Sequence, residues 1–206
     1  MNAVELVQVV QRTAERWAQS REELRALDAA LGDGDLGVTV SAGCEAVRDR
    51  LKTLEPQKPA EVVKQAGMAF AAGNPSTMAA LLGGALLAAA KTLGDTATMD
   101  SKAVLACGRA VAESIAARGK AELGDKTILD ALVPSLDAAE AASDGQRLHA
   151  AITAARQGID ESAGWQSKRG RAAWLGERSA GHPDPGATAY LRFLEALSEE
   201  YAKGTR

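Results

Sequence analysis

Between Met68 and Ala90 the chain carries no charged residue, and this stretch limits the folds open to it more than any other. Its length would let a helix cross a bilayer. Gly73-Asn74-Pro75-Ser76-Thr77 breaks it near the middle, however, and Gly83-Gly84 follows. Backbone freed by such a break finds no hydrogen-bonding partner in hydrocarbon. The stretch therefore reads as two helices buried within a protein and joined by a polar turn. Ser76 and Thr77 would cap the second, about 77–93, with amides and hydroxyls that could also face a phosphate. A helix so uniformly apolar needs other helices around it.

The flanking sequence supplies them. Aromatic residues make up 3% of the chain, and Ala and Leu dominate over β-branched runs, which favours helix throughout. Leu6, Val7, Val10, Ala14 and Trp17 recur at helical spacing across 2–20. Further helices are expected at about 21–31, 38–51, 60–72, 101–117, 146–162 and 187–203. Gly124-Asp125-Lys126-Thr127 would open one more, with Asp125 as its cap, and His149 would lie on the surface. Gly119 would end the helix before it. The expected fold class is all-α, one domain over residues 1–206 built as a bundle of about eight helices.

Net charge of −3 gives no reason to expect nucleic acid or an anionic membrane as partner. Cys44 and Cys107 lack metal-type spacing and read as reduced thiols. No basic-then-apolar leader is apparent at Met1-Asn2-Ala3-Val4-Glu5, so a cytoplasmic location is expected.

The stretch that carries chemistry is Leu27-Asp28-Ala29-Ala30-Leu31-Gly32-Asp33-Gly34-Asp35-Leu36-Gly37. Its glycines allow the chain to turn sharply, so that three carboxylates converge. Converging carboxylates repel unless a cation lies between them, and an all-oxygen set suits Mg²⁺. An EF-hand counted from Asp33 would need Glu where Cys44 stands. A phosphate loop would need Lys where Val38 stands, so metal rather than lysine would have to neutralise phosphate here. The start of the following helix would add anion-attracting amides. A plain solvated turn is the alternative reading of the same residues. Far along the chain, Trp165 to Gly186 forms a long cationic segment, and long ordered loops are usually functional. Arg171 and Arg178 are its candidate phosphate clamps. For Arg178, a pairing with Glu177 or a helix end is the structural alternative.

Three stretches occur in order: Leu27 to Asp35, Gly119 to Pro134, and Gly170 to Ala187. Together they resemble the nucleotide-binding L subunit of dihydroxyacetone kinase over nearly the whole chain. The resemblance implies an eight-helix antiparallel barrel that encloses ADP or ATP with two Mg²⁺ ions. It implies Asp28, Asp33 and Asp35 as metal ligands, with Leu36, Gly37, Val38, Thr39, Ser76, Thr77 and Met78 around the phosphates. It further implies Gly119 and Ile128 against the nucleoside, a catalytic and nucleotide-contacting Arg171, and Asp184, Pro185 and Gly186 in a lid. The implied activity is phosphoryl transfer to a short ketose held by a K-type subunit, with ATP or a phosphoryl-donor protein as the source. A nucleotide-loaded module that regulates a partner without turnover is the alternative.

The sequence departs from the family pattern at the phosphate side. Leu36 stands where the family has His, Thr39-Val40 where it has Asn-Met, and Gly73-Asn74-Pro75-Ser76-Thr77 where it has Gly-Gly-x-Ser-Gly.

Overall fold

The computed structural model describes residues 1–204, and among them only helices and loops occur. The α-helices are α1 (Ala3–Trp17), α2 (Arg21–Leu31), α3 (Leu36–Lys52), α4 (Pro59–Gly73), α5 (Thr77–Leu93), α6 (Ser101–Gly119), α7 (Leu129–Ala141), α8 (Arg147–Ala163) and α9 (Pro185–Gly204). From α3 each helix packs on the next through to α9, α9 packs on α1, and α1 returns to α3. Eight helices thus close a ring, while α2 lies against α3 and α9 at its side. Short connections make neighbours along the chain antiparallel. The all-α expectation is met, and no helix among the described residues is long and apolar enough to cross a membrane.

Local sequence explains most of the boundaries. Asn2 accepts from the Glu5 amide and Glu5 answers to the Asn2 amide, a reciprocal cap that starts α1. Ser76 accepts from the Ala79 amide at 3.1 Å and starts α5. Lys120 turns left-handed (φ 51°) directly after Gly119 and ends α6. Four expected boundaries are corrected. The first helix stops at Trp17 and continues as a 3₁₀ turn through Ser20, α3 begins at Leu36, and the segment 165–186 contains a 3₁₀ helix at Arg171–Ser179, kinked at Gly176. The Gly124–Thr127 stretch is a turn, and α7 begins only at Leu129.

The ring is held where α1, α4 and α9 meet. Trp17 stacks on Phe70 at 5.8 Å and meets Phe193 edge-on at 5.5 Å, while its indole N–H donates to the Ala189 carbonyl at 2.9 Å. A buried indole keeps its donor satisfied in this way. Arg12 and Arg16 both pair with the buried Glu200, fastening α1 to α9 a second time. Between α4 and α5 the contact is closer. A Cβ on Gly67 would lie 2.8 Å from Leu86 Cβ, and one on Gly83 would lie 2.6 Å from Ala71 Cβ. A Cβ on Gly73 would likewise fall 2.7 Å from the Ala42 carbonyl of α3. The uncharged stretch is therefore a seam of backbone against backbone. Cys44 and Cys107 are free and buried, and burial pushes the Cys44 thiol up to about 12.

Candidate functional site

The acidic loop joins α2 to α3. Asp28 lies on the last turn of α2, and the Gly32 amide closes that turn on the Asp28 carbonyl at 2.6 Å. Gly34 then adopts φ 76°, a conformation that a side chain would strain, and sends Asp33 and Asp35 back toward Asp28. The start of α3 passes so close to α2 that a Cβ on Gly37 would lie 2.0 Å from the Arg21 carbonyl. Gly37 thus has a packing reason to be bare. One oxygen from each of Asp28, Asp33 and Asp35 lies within 4.8 Å of the others. Oxygens around Mg²⁺ stand about 3–4 Å apart, given bonds near 2 Å, so small rotations would bring these three into its shell. Asp28 is oriented further by the Leu36 amide, which donates to its Oδ2 at 3.2 Å.

Across this loop lies Arg171, some 136 residues along the chain from Asp35. Its guanidinium pairs with Asp33 and stands 3.5 Å from Asp35 Oδ2. The Asp33 charge, and then that of Asp35, hold its pKa above the ordinary value. Arg178, by contrast, is exposed and is not brought to the carboxylates in the described structure.

Two helix starts meet beside the loop. The Asn74 amide donates to Thr39 Oγ1 at 3.0 Å, and Thr39 Oγ1 lies 3.4 Å from Ser76 Oγ. These bonds bring the first turns of α3 and α5 together. The amides of Gly37 and Val38, and of Thr77 and Met78, belong to those turns and have no acceptor within their own helix. Thr39 and Asn74 lie at places where the chain departs from the family pattern, and both are bonded into this group, with Thr39 between Asn74 and the Ser76 that the pattern keeps. Leu36 is buried with Leu24 and Val40 in the apolar cluster, so its side chain faces the core and its backbone faces the loop.

A second group gathers where α7 and α9 begin. Gly119 closes α6, and Ile128 precedes α7. A Cβ on Gly186 would come within 3.8 Å of Ile128 Cβ and 3.1 Å of Asp184 Oδ1. Asp184 caps α9 by accepting from the Ala187 amide at 2.7 Å, and Pro185 follows at the first helical position, where its missing N–H costs nothing. Burial pushes the Asp184 carboxyl up to about 6, opposed by the Ala187 amide and reinforced by the charge of Asp130. The sequence-expected residues thus fall into two groups, one around the carboxylates and one of Ile128, Asp184, Pro185 and Gly186, while Gly119 stands at the end of α6.

A family model described as the DAK2 domain matches residues 30–199. The chain belongs to the DAK2 domain family. It is 34% identical over 205 residues to the L-erythrulose 1-kinase of Mycolicibacterium smegmatis, covering 96% of this chain and 36% of that protein. It is 28% identical over 203 residues to the ADP-binding subunit DhaL of the PEP-dependent dihydroxyacetone kinase of Escherichia coli, covering 96% and 97%. The crystal structure of the dihydroxyacetone kinase from C. freundii in complex with AMP-PNP and Mg²⁺ superposes with a TM-score of 0.76 at 26% identity, over 97% of this chain and 34% of that one. The chain therefore spans about a third of the erythrulose kinase and nearly all of the ADP-binding subunit. The sequence resemblance to the L subunit holds, and so does its helical fold.

Sequence reasoning missed a polar turn in this DAK2 domain. Asp125 does not cap α7. It is buried, accepts from the Glu122 amide at 3.1 Å and from Arg169 Nε at 2.7 Å, and lies 3.6 Å from Lys168 Nζ. Burial works against its ionisation, but Arg169, the Glu122 amide and Lys168 together hold the carboxyl below its usual range. Asp130 organises the turn instead, accepting from the Gly124 amide at 2.6 Å and the Thr127 amide at 2.7 Å. Lys126, fully buried, donates to the carbonyls of Ala163, Trp165 and Ser179 at 2.9, 2.8 and 2.6 Å. Beyond it the chain presents Trp174, 88% exposed, on the same short helix as Arg171. The sequence signal available for these roles was the density of charge in Gly124–Thr127 and in Lys168–Arg171. Their partnership spans more than forty residues and leaves no local pattern.

Proposed function

We propose that this chain is the nucleotide-binding component of a short-ketose kinase, which holds ADP or ATP with Mg²⁺ and presents it for phosphoryl transfer. The observation that carries the reading is the convergence of the Asp28, Asp33 and Asp35 carboxylates within 4.8 Å beside an arginine. Three hard oxygen donors leave a hexacoordinate ion several positions for water and phosphate oxygens. Two bound Mg²⁺ ions would neutralise the phosphate charge and align its oxygens.

The chain's own residues do the rest. Asp28, Asp33 and Asp35 hold the metal. The first-turn amides of Gly37, Val38, Thr77 and Met78, with Thr39 and Ser76 between them and the Leu36 backbone at the α3 start, line the phosphate side. Arg171 supplies a planar fork of donors matched to phosphate oxygens and is the residue we assign to catalysis. Gly119 and Ile128 take the nucleoside, and Asp184, Pro185 and Gly186 close over it. Such a site needs little covalent chemistry, because phosphoryl transfer depends on positioning and charge neutralisation.

The acceptor is dihydroxyacetone or a related ketose on a K-type partner subunit, and the donor is ATP or a phosphoryl-donor protein. Support comes from relatives that are named as kinases of dihydroxyacetone and erythrulose. On this reading residues 1–206 form one cytoplasmic domain that works with proteins rather than with membrane or nucleic acid.

Calorimetry of ADP binding with and without Mg²⁺ tests the assignment, comparing the natural chain with Asp33→Asn. The expected result is Mg²⁺-dependent binding that weakens at least about tenfold in the variant, the scale of losing one charged metal ligand. Unchanged Mg²⁺-dependent binding would overturn the metal assignment. Phosphoryl transfer that appears only on addition of a K-type subunit would support the kinase role.

A further inference from the structure

Lys126 has no part in the proposed phosphate or nucleoside contacts, yet it is among the largest fully buried side chains in the protein. Its three bonds use all the donors that an ammonium possesses. They join the end of α8 (Ala163), the residue two further on (Trp165), and the end of the 3₁₀ helix (Ser179). The two ends of the segment 163–181 are thereby drawn to one point. The Gly181 amide donates to the same Ala163 carbonyl at 2.8 Å, and the Ser167 amide donates to Ser179 Oγ at 2.9 Å, so the neck is closed from within as well.

The preceding residue of the same turn holds the outgoing limb. The Asp125 carbonyl accepts from the Lys168 amide at 3.0 Å, and its carboxylate holds Arg169. Gly170 then turns with φ 65°, and the next residue is Arg171. The reach of Arg171 to Asp33 therefore starts two residues from a fixed tie. Ile128, at the nucleoside side, lies two residues beyond Lys126 on the other flank.

We propose that Lys126 is a positioning residue, which fastens the neck of the 163–181 loop and so sets Arg171 over the acidic loop. The role of Arg171 in nucleotide binding rests on the proposed function; the fastening does not. Lys168, Arg169, Arg171 and Arg178 are exposed trypsin sites, but the neck ties the backbone around them, and cutting needs that segment to open.

Limited trypsin digestion of the full chain, with each cut mapped by mass spectrometry, tests this without nucleotide. Lys126→Met keeps the length of the side chain and removes every donor. It is expected to raise cutting after Arg169, Arg171 and Arg178 at least about tenfold, because cutting follows the population of the opened loop. Sites outside 163–181 should keep their rates. Lys126→Gln, which retains one donor group, should fall between the two. Unchanged cutting in the loop overturns the proposal. So does a uniform rise at sites throughout the chain in both variants, since Lys126 would then hold the whole fold and not the loop.

Mg²⁺–ADP affinity gives the second readout. Lys126→Met and Arg171→Ala should weaken it by the same factor, and the double variant should lose nothing more. Factors that multiply would show that Lys126 does not act through Arg171. A natural chain that binds no Mg²⁺–ADP would refute the proposed function, while the cutting pattern would still decide the fastening.

Discussion

Asp184→Asn should make the protein more stable, by an amount that grows with pH. Asp184 caps α9 through the Ala187 amide, and an asparagine oxygen can accept the same bond. What the substitution removes is the need to ionise a carboxyl that burial raises from 3.8 to about 6. The sign follows from proton binding. Between those two values the folded state holds a proton that the unfolded chain has released, so stability falls as pH rises through the window. The loss should be about 1 kcal/mol at about pH 4.5 and about 3 kcal/mol at about pH 7.5. Both are upper values, because solvent still reaches part of this side chain and screens it. Urea unfolding of the natural chain and the variant across that range measures the difference, and all other carboxyls cancel between the two proteins. The gap should widen by up to about 2 kcal/mol over the range. A gap that stays constant with pH, or that narrows, would refute the reasoning.

Two further substitutions probe the packing. Phe70→Ala empties the space between Trp17 and α3, where Phe70 is 2% exposed, and should cost about 3–5 kcal/mol. Urea titration would contradict this with a loss below about 1 kcal/mol. Gly158→Ala would place a Cβ 2.1 Å from the Asp130 carbonyl, forcing α8 away from α7. A loss of about 1–3 kcal/mol is expected from overpacking, with a drop in Tm of several degrees. Gly164→Ala, which meets nothing within 4 Å, is the control that should leave Tm in place.

The sequence was legible wherever the determinant was local. The Ser76 cap, the stop at Gly119 and the Asp28–Asp35 loop each depend on residues within a few positions, and the structure places them as the residues suggest. The uncharged stretch announced two helices broken by a turn for a similar reason, but not their depth: Met68 is 50% exposed, and α5 is one stave of the ring packed between α4 and α6, not surrounded by helices. What escaped were polar groups whose partners are remote. Asp125 looks like a helix cap because a capping residue and a buried ion-pair member are the same residue type, and Arg169 lies 44 residues away. Lys126 carried no signal of its role, since nothing adjacent reveals three carbonyls waiting for it. Leu36 was assigned by its place in a motif, although its side chain belongs to the core. Gly158, inside α8, was equally opaque, because only the neighbouring helix shows that a side chain there would meet the Asp130 carbonyl.

The glycine seam of α3, α4 and α5 decides where this protein can change. Spacing set by backbone contact at Gly67, Gly73 and Gly83 cannot shrink, and any added side chain must widen it. The least distance between the starts of α3 and α5 is therefore set by the helices, and the Asn74–Thr39 bond of the α4–α5 turn then joins those starts. Asn74 and Thr77 can consequently stand where the family pattern has glycine without shifting Thr39 relative to Ser76. Changes in the turn would then alter the lip of the proposed site while leaving its depth in place. A chain built so can drift in what it accepts at the rim and still hold its two helix starts in register.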